Sequence, residues 1–325
     1  MKIHFYIPEN FLPHEEEREQ WMTGTPSRLS QSGKAACVQC WIYLTYIRLT
    51  QAGVAVELCH KIPEDGIVVA LTGNLMPNFR PHPKVFLIGV VADGTPHPAC
   101  HHHILQNAIH AKRLPHSTYI PLWSQPGLIP RNPARGERFE NIYFFGDPPN
   151  LALELRDSSF AEILKNRFGL NLVLAEAERW HDYSEADCVL AIRELSSRLF
   201  LRKPATKLYN AWLAGVPLIG GMESAFRAHG KTGIDYISCK TLDDVFQALI
   251  KLRDDPSLRR QIAAEGKISA LKFTPEAITR CWIEFLESVS TKEASAHFSQ
   301  SPHQRKFASW QQRLTLTFDK LRGGY

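Results

Sequence analysis

The sequence has no long apolar run, no regular cysteine framework and no strong excess of either charge. No stretch approaches the ~20 apolar residues that a membrane-spanning helix needs, and residues 1–8 are too short and polar for a secretory signal. The seven cysteines are odd in number and scattered, which is typical of reduced cytosolic thiols. A net charge of +5 over 325 residues is mild and does not indicate nucleic acid as a partner. These absences predict a cytoplasmic protein.

The chain is longer than a single core usually allows. Its 325 residues predict two domains of about 140 to 150 residues each. The passage from Pro121 to Pro133 holds four prolines and a glycine, a composition that stiffens a connection instead of building a helix. We therefore predict a first domain at residues 1–133, a second at 134–290, and a linker with a C-terminal helix at 291–325.

Short apolar runs alternate with helical patterns in both halves, which predicts an α/β protein with parallel sheets. Strands are predicted at residues 2–8, 54–60, 66–71, 84–91, 118–123, 141–146, 170–175, 187–192 and 236–238. Helices are predicted at residues 34–52, 99–112, 151–168, 181–186, 242–252, 256–266 and 275–288, and residues 290–304 are predicted to form a linker.

The stretch from Lys203 to Glu223, KPATKLYNAWLAGVPLIGGME, is the most informative. It predicts a helix that ends at Gly215, because glycine favours the left-handed conformation of a helix C-cap and a proline follows shortly after. A short apolar run then predicts a buried strand. The strand ends in Gly220 and Gly221, which allow backbone N–H groups to approach a ligand closely. A strand that ends in glycines before a helix is suited to binding a phosphate group.

This stretch, followed by ESAFRAHGKTG and LDDVFQALIKLRDDPSLRRQIAAEG, resembles the C-terminal donor-nucleotide domain of the GT-B glycosyltransferases. WSQPGLIPR and ERFENIYFFGD resemble the interdomain passage of bacterial polysaccharide-type sugar transferases. The resemblance implies two Rossmann-like domains that face each other across a cleft, with a C-terminal helix crossing back to the first. It also implies hexosyl transfer from a nucleotide-diphosphate sugar to an acceptor hydroxyl on a saccharide or a lipid-linked saccharide.

Such a transfer leaves a diphosphate whose negative charge rises in the transition state, so nearby cations lower the barrier. Arg193 follows a predicted strand at its C-terminal end, where open α/β sheets hold ligands, and Lys207 opens a helix. Both could instead be ordinary surface cations. As phosphate ligands they would replace a metal ion, so we expect no metal and no cofactor besides the nucleotide sugar.

The sequence departs from the commonest GT-B glycosyltransferases that retain the anomeric configuration of the transferred sugar. Those enzymes carry a pair of glutamates, and the matching positions here are Arg202 and Asn210. Asn210 can bind a ribose or sugar hydroxyl but cannot act as a carboxylate, so the stereochemistry of transfer does not carry over. Glu223 is expected either to accept hydrogen bonds from ribose hydroxyls or to interact with a helix N-terminus.

The first half carries candidate acceptor-side residues. Asp93 follows the strongest predicted strand and is the first candidate for the general base, followed by His97 and the run from His101 to His103. Consecutive histidines on a helix cannot all converge on zinc. Cys37 and Cys40 have the spacing of a metal or redox pair, but they lie in an apolar helix and no second pair exists, which favours core positions.

A last apolar stripe consists of Phe307, Trp310, Leu314, Phe318 and Leu321, at helical spacing. By the resemblance, we expect this helix to cross back and bury its stripe against the first domain. Two other functions remain open: transfer of a phosphoalcohol from a nucleotide, and a non-catalytic subunit that binds a nucleotide sugar.

Overall fold

The computed structural model describes residues 1–23 and 33–321, which form two compact units. Unit 1 comprises Met1–Trp123, Leu201–Pro204 and Pro275–Tyr325. Unit 2 comprises Ser124–Phe200 and Ala205–Thr274. The first division thus falls inside the proline-rich passage from Pro121 to Pro133, before the expected end of the first domain at residue 133. The chain returns to unit 1 for the last time at Pro275 and not at residue 291.

Unit 1 is built on a parallel sheet, which has six strands in the described residues, in the order β2-β1-β3-β4-β5-β6. These strands are β1 (Ile3–Tyr6), β2 (Glu57–Cys59), β3 (Asp65–Leu71), β4 (Lys84–Val90), β5 (His102–Leu105) and β6 (Ser117–Tyr119). The helices of this part are α1 (Glu15–Thr23), α2 (Gly33–Val38), α3 (Leu44–Gln51) and α4 (Ala108–Ala111), with a π-helical turn at Gln39–Tyr43. β3 and β4 pair in register, Val69 opposite Ile88, and their apolar runs are buried because helices cover a parallel sheet on both faces.

The helix predicted at residues 99–112 is wrong. This segment contains β5, which pairs with β4, and only the short α4. His102 lies opposite Ile88 in that ladder, so pairing with a buried neighbour determines the conformation here and the local helical pattern does not. α4 begins after Asn107, whose side-chain oxygen accepts from the N–H groups of Ile109 and His110.

Unit 2 contains a second parallel sheet with five strands in the described residues, in the order β11-β10-β9-β7-β8. Its strands are β7 (Asn141–Phe145), β8 (Asn171–Ala175), β9 (Cys188–Ala191), β10 (Leu218–Gly220) and β11 (Ile237–Ser238). Its helices are α5 (Leu153–Arg156), α6 (Ser158–Phe168), α7 (Thr206–Ala214), α8 (Ser224–His229), α9 (Leu242–Asp254) and α10 (Pro256–Ala270). The helix predicted at residues 181–186 is wrong, since these residues form turns beside a single β-bridge.

The helix, turn and strand predicted between Lys203 and Glu223 are confirmed. α7 ends at Gly215, which is left-handed with a φ of 70°, as a C-cap glycine is expected to be. β10 follows at once and pairs with β9 and β11. Trp212 is buried against Phe273, so α7 is fixed on the sheet by its apolar face.

The chain returns to unit 1 through α11 (Pro275–Ser288). Trp282 is fully buried and meets Phe5 of β1 edge-on, with ring centroids 6.2 Å apart. A π-helical turn at Val289–Ala294, α12 (Ser295–Ser299) and α13 (Pro302–Leu321) follow. The linker predicted at residues 290–304 is therefore wrong: Val289 and Ala294 are buried, and their contacts keep the segment helical.

α13 was expected to bury its apolar stripe, and this expectation is wrong. Phe307 is 58% exposed, Trp310 56%, Leu314 39% and Phe318 58%, while the side chain of Leu321 lies outside the described residues. The helix contacts unit 1 through its other side, where Leu316 is buried beside Val91, Leu105 and Leu114. The helix that crosses back with its large aromatic residue buried is α11.

Candidate functional site

The ends of β7 and β9, together with the turn after β10, bring two cations and a carboxylate together in unit 2. Arg193 follows β9, Lys207 lies in the first turn of α7, and Glu223 precedes α8. The three strands are neighbours in a parallel sheet, so their carboxyl ends lie at one edge, where open α/β sheets bind ligands. We name Arg193, Lys207 and Glu223 the donor cluster. They come from three consecutive parts of the chain, after β9, in α7 and before α8.

Arg193 is held by two side-chain partners. Its Nε donates to Glu223 Oε2 at 3.1 Å, and its Nη1 donates to Asn150 Oδ1 at 2.7 Å. Among the described residues these bonds use two of the five N–H donors of a guanidinium. The planar group is thus oriented, and further donors remain for an anionic ligand.

Lys207 stands over the end of β7. Its Nζ lies 5.3 Å from the centroid of the Phe144 ring, within the range of a cation–π contact. A Cβ atom added at Gly146 would lie 3.0 Å from that Nζ, and Gly146 has a φ of 154°. The glycine therefore leaves the space that the ammonium group occupies.

Glu223 is only 2% exposed. Burial raises the pKa of its carboxyl group, and the positive charges of Arg193 and Lys207 oppose that rise. Glu223 directly precedes α8, although its side chain makes no hydrogen bond to the N-terminus of that helix. Both roles expected for Glu223, at ribose hydroxyls and at a helix N-terminus, stay predictions. The cluster holds two cations for one carboxylate, a combination that favours an anionic ligand.

Gly220 and Gly221 do not have the expected geometry. The N–H of Gly221 donates to the carbonyl of Ala191 at 3.1 Å and is not directed at a ligand. A Cβ atom at Gly220 would lie 2.9 Å from the ring of Phe226. Both glycines are thus explained by strand pairing and core packing.

Asn210 is buried in unit 2, three residues after Lys207 in α7. Its Oδ1 accepts from the backbone N–H of Gln125 at 3.1 Å, and it also bonds the buried side chain of Tyr183. The structure therefore places Asn210 as a structural tie, in place of the expected ribose ligand.

A second group of cations in unit 2 is already paired. Arg131, Arg138, Arg259 and Arg260 line a concavity of about 330 Å³ near Asp187. Arg131 bonds Asp187, Arg138 and Arg259 bond backbone carbonyls, and Arg260 pairs with Glu137. These contacts lie around Asp187, which directly precedes β9, and they already use the cations. The donor cluster is therefore the better candidate for an anion site.

Comparison with solved structures identifies the architecture, whereas no protein-family model and no curated protein matches the sequence. HepE of Anabaena, solved with UDP-glucose, is 12% identical, with 89% of this chain and 100% of that chain covered and a TM-score of 0.52. Sucrose-phosphate synthase of Thermosynechococcus elongatus is 10% identical, with 90% and 99% covered and a TM-score of 0.56. AviGT4, a glycosyltransferase of avilamycin A biosynthesis, is 13% identical, with 90% and 98% covered and a TM-score of 0.56. The chain has the GT-B fold.

In unit 1 of this GT-B chain, Asp93 follows β4 after Ala92, which has an unusual φ of 49°. The carboxylate is half exposed and accepts from Lys203 Nζ at 2.8 Å and from Gln106 Nε2 at 2.6 Å. Lys203 belongs to Leu201–Pro204, the short segment that joins unit 1. The candidate base is therefore ion-paired.

His102 and His103 lie in β5 and His101 directly precedes it, and not in the helix expected at residues 99–112, while His97 lies in the loop before them. His97 is buried, and its ring nitrogens contact Met76 O and the N–H of Ala99. Burial lowers the pKa of His97. Because both ring nitrogens are engaged, the structure places His97 as a packing residue.

His101 is enclosed as well. Its ring stacks on Phe86 and touches His297, with centroids 5.1 and 4.2 Å away, and its Nδ1 accepts from the N–H of Leu87. Burial lowers its pKa to about 3. His102 Nδ1 lies 2.9 Å from Glu293 Oε2. These histidines tie β5 to the C-terminal helices, which differs from the acceptor role expected of them.

Two further findings concern metals and membranes. In residues 1–23 and 33–321, no group of three His, Cys, Asp or Glu side chains could hold a metal ion. No helix within the same residues is long and apolar enough to cross a membrane. Cys37 and Cys40 lie beside the core of unit 1, in agreement with the core interpretation of that pair.

Two residues that support the donor cluster were missed in the sequence. Asn150 orients Arg193, and Gly146 makes room for Lys207. Their position in the fold could have indicated them. Both residues follow β7, and β7 is the neighbour of β9, the strand that Arg193 follows. Sequence order alone does not indicate that β7 and β9 are adjacent, because β8 lies between them in the chain.

Proposed function

We propose that this protein is a glycosyltransferase that moves a sugar from a nucleotide-diphosphate sugar to an acceptor hydroxyl. The observation that carries the proposal is the donor cluster, in which Arg193 and Lys207 lie near the carboxyl ends of β9 and β7, where open α/β sheets bind ligands. A saccharide or a lipid-linked saccharide is the proposed acceptor.

The cluster suits the chemistry of a leaving diphosphate. A guanidinium offers paired donors that match phosphate oxygens, while an ammonium group supplies a compact charge. Because Asn150 and Glu223 hold Arg193 in place, little reorganisation is needed when charge builds up in the transition state. In this proposal the two cations take the part that a metal ion plays in other transferases.

The solved relatives support the choice of ligand. HepE has been solved with UDP and with UDP-glucose, and AviGT4 is described as a glycosyltransferase. A uridine diphosphate is therefore the first nucleotide to test. In this chain the proposed position of its diphosphate is against Lys207 and Arg193, with Glu223 near the ribose.

Calorimetric titration of UDP into wild type and Lys207→Ala tests the site. One charge-assisted phosphate contact is worth about 1.5 to 3 kcal/mol, so the variant should bind at least about tenfold more weakly. Lys207→Arg should restore only part of the affinity, because a planar fork does not fit a point-charge site. Lys251→Ala, at an exposed position of α9, is the matched control and should bind like wild type. Equal affinities of wild type and Lys207→Ala would remove Lys207 from the site.

A second candidate function has structural support. Asp93 is paired with Lys203, and His97 and His101 are engaged in packing, which also fits a non-catalytic subunit that binds a nucleotide sugar. Turnover with a panel of nucleotide sugars separates the two functions. Product analysis would also detect transfer of a phosphoalcohol.

The same assay tests Asp93 as the base. Asp93→Asn keeps the shape and removes basicity, so turnover should fall while UDP affinity stays unchanged. Lys203→Met breaks the same ion pair but keeps the carboxylate. Equal losses in both variants would show that the ion pair matters and that Asp93 is not the base.

A further inference from the structure

α13 presents an aromatic face that the protein leaves uncovered. We define this face as Phe307, Trp310, Leu314 and Phe318, each between 39% and 58% exposed. The rings of Phe307 and Trp310 stack, with centroids 6.0 Å apart. Large apolar side chains in one contiguous exposed group are typical of an interaction site.

The aromatic face points away from unit 1. α13 is attached through buried Leu316, through Gln312, which donates to Cys100 O, and through Arg305, which donates to Pro83 O at 3.1 Å. At about 100° per residue, these three positions lie on the side of the helix opposite Phe307 and Leu314. The helix is therefore anchored by one side while the other stays available.

Cations border the face. Lys306 and Arg313 are exposed and lie seven residues apart, so they follow one another along a single flank of the aromatic face. Within residues 302–321 the sequence has four Lys or Arg and one Asp. Phe, Trp and Leu on one face with Lys and Arg beside them are typical of helices that lie in the interface of a membrane.

We infer that α13 docks on the surface of an anionic lipid bilayer, with its axis in the membrane plane. The aromatic face enters the boundary between headgroups and acyl chains, and Lys306 and Arg313 contact lipid phosphates. A second copy of this chain fits the face less well. An antiparallel pairing of α13 from two copies would bring their cationic flanks to the same side of the interface, whereas an anionic surface complements these cations.

Co-sedimentation of the full chain with lipid vesicles tests this docking. Wild type should bind vesicles of phosphatidylcholine with phosphatidylglycerol, and binding to phosphatidylcholine alone should be at least about tenfold weaker. Trp310→Ser/Phe318→Ser should lose most of the binding to the anionic vesicles. Lys306→Glu/Arg313→Glu should lose it as well, and added salt should weaken wild-type binding.

Ile268→Ser/Leu271→Ser is the matched control, because these exposed apolar residues belong to unit 2, and it should bind vesicles like wild type. UDP titration and thermal unfolding check that each variant is folded, so a failure here is distinct from a failure of the proposed function. Equal vesicle binding by wild type and Trp310→Ser/Phe318→Ser, or none by wild type, would overturn the inference. A wild-type dimer that the same double substitution dissociates would also overturn it and assign the face to a second copy.

Discussion

At the scale of single residues, the histidines around β5 make unit 1 sensitive to acid. Burial, with a smaller contribution from neighbouring histidines, lowers the pKa of His101 and of His103 to about 3. Their ordinary pKa is about 6.5. Between these values the unfolded chain binds more protons than the folded one, so stability is full above about pH 6.5 and is lost as the pH falls.

We expect the free energy of unfolding to fall between pH 7.5 and pH 5 by about 1.4 kcal/mol per pH unit for each of these two groups, once the pH is below 6.5. Urea unfolding at several pH values measures the slope. His101→Phe keeps a ring against Phe86 but cannot titrate, so its slope should be smaller. An identical slope in the variant would show that His101 does not contribute.

In unit 2, Asp187 also makes the stability depend on pH. It is buried and accepts from Arg131, Arg135 and the backbone N–H groups of Glu140 and Asn141. Burial by itself would raise the pKa of Asp187, but these hydrogen bonds outweigh it and hold the pKa below its ordinary value of 3.8. Its contribution to stability is therefore present above about pH 4 and is lost in stronger acid.

Asp187→Asn should lower the free energy of unfolding by about 3 to 5 kcal/mol at neutral pH, because it removes the only buried carboxylate that pairs with Arg135 among the described residues. The remaining partners of Arg135, Glu140 and Glu185, are half exposed and compensate little. Asp254→Asn is the control: it removes an exposed carboxylate paired with Arg253 and should cost about 0 to 1 kcal/mol. Chemical denaturation of the two variants compares them. Similar losses would mean that the Asp187 network is no more important than a surface pair.

At the scale of elements, the predictions succeeded where the signals are local. The end of α7 at Gly215 and the buried β10 follow from a helix C-cap and an apolar run. β5 was missed because its conformation depends on pairing with β4, a long-range contact. The stripe of α13 shows the remaining difficulty: periodicity indicates that a helix has an apolar face, but it does not indicate what covers that face.

Two tryptophans on the C-terminal helices test this distinction. Trp282 of α11 is buried against Phe5 and Phe285, so Trp282→Ala should cost about 3 to 5 kcal/mol. Trp310 of α13 is exposed, so Trp310→Ala should change stability by no more than about 0.5 kcal/mol. Thermal and urea unfolding provide the comparison. A large loss in Trp310→Ala would mean that α13 buries its aromatic face after all.

At the scale of the whole molecule, the path of the chain determines what the sequence could indicate about the site. Unit 1 is formed from three separate stretches, and the shortest of them, Leu201–Pro204, interrupts unit 2 between β9 and α7. Arg193 and Lys207 could be chosen from the sequence because each is close to a recognisable strand end or helix start. Asn150 and the pairing of Asp93 with Lys203 could not, since both depend on contacts between distant segments.

Hydrogen exchange across the whole chain gives the last prediction. A ligand that binds only the folded state suppresses local opening where it makes contact. UDP should therefore protect most strongly the peptides of unit 2 that contain Arg193, Lys207 and Glu223, with a smaller change around β8, the edge strand beyond β7. Lys207→Ala should reduce the protection at all three positions, because in the proposed site all three residues contact the same bound nucleotide. Protection that was strongest outside unit 2, or unaltered by Lys207→Ala, would place the nucleotide elsewhere on the protein.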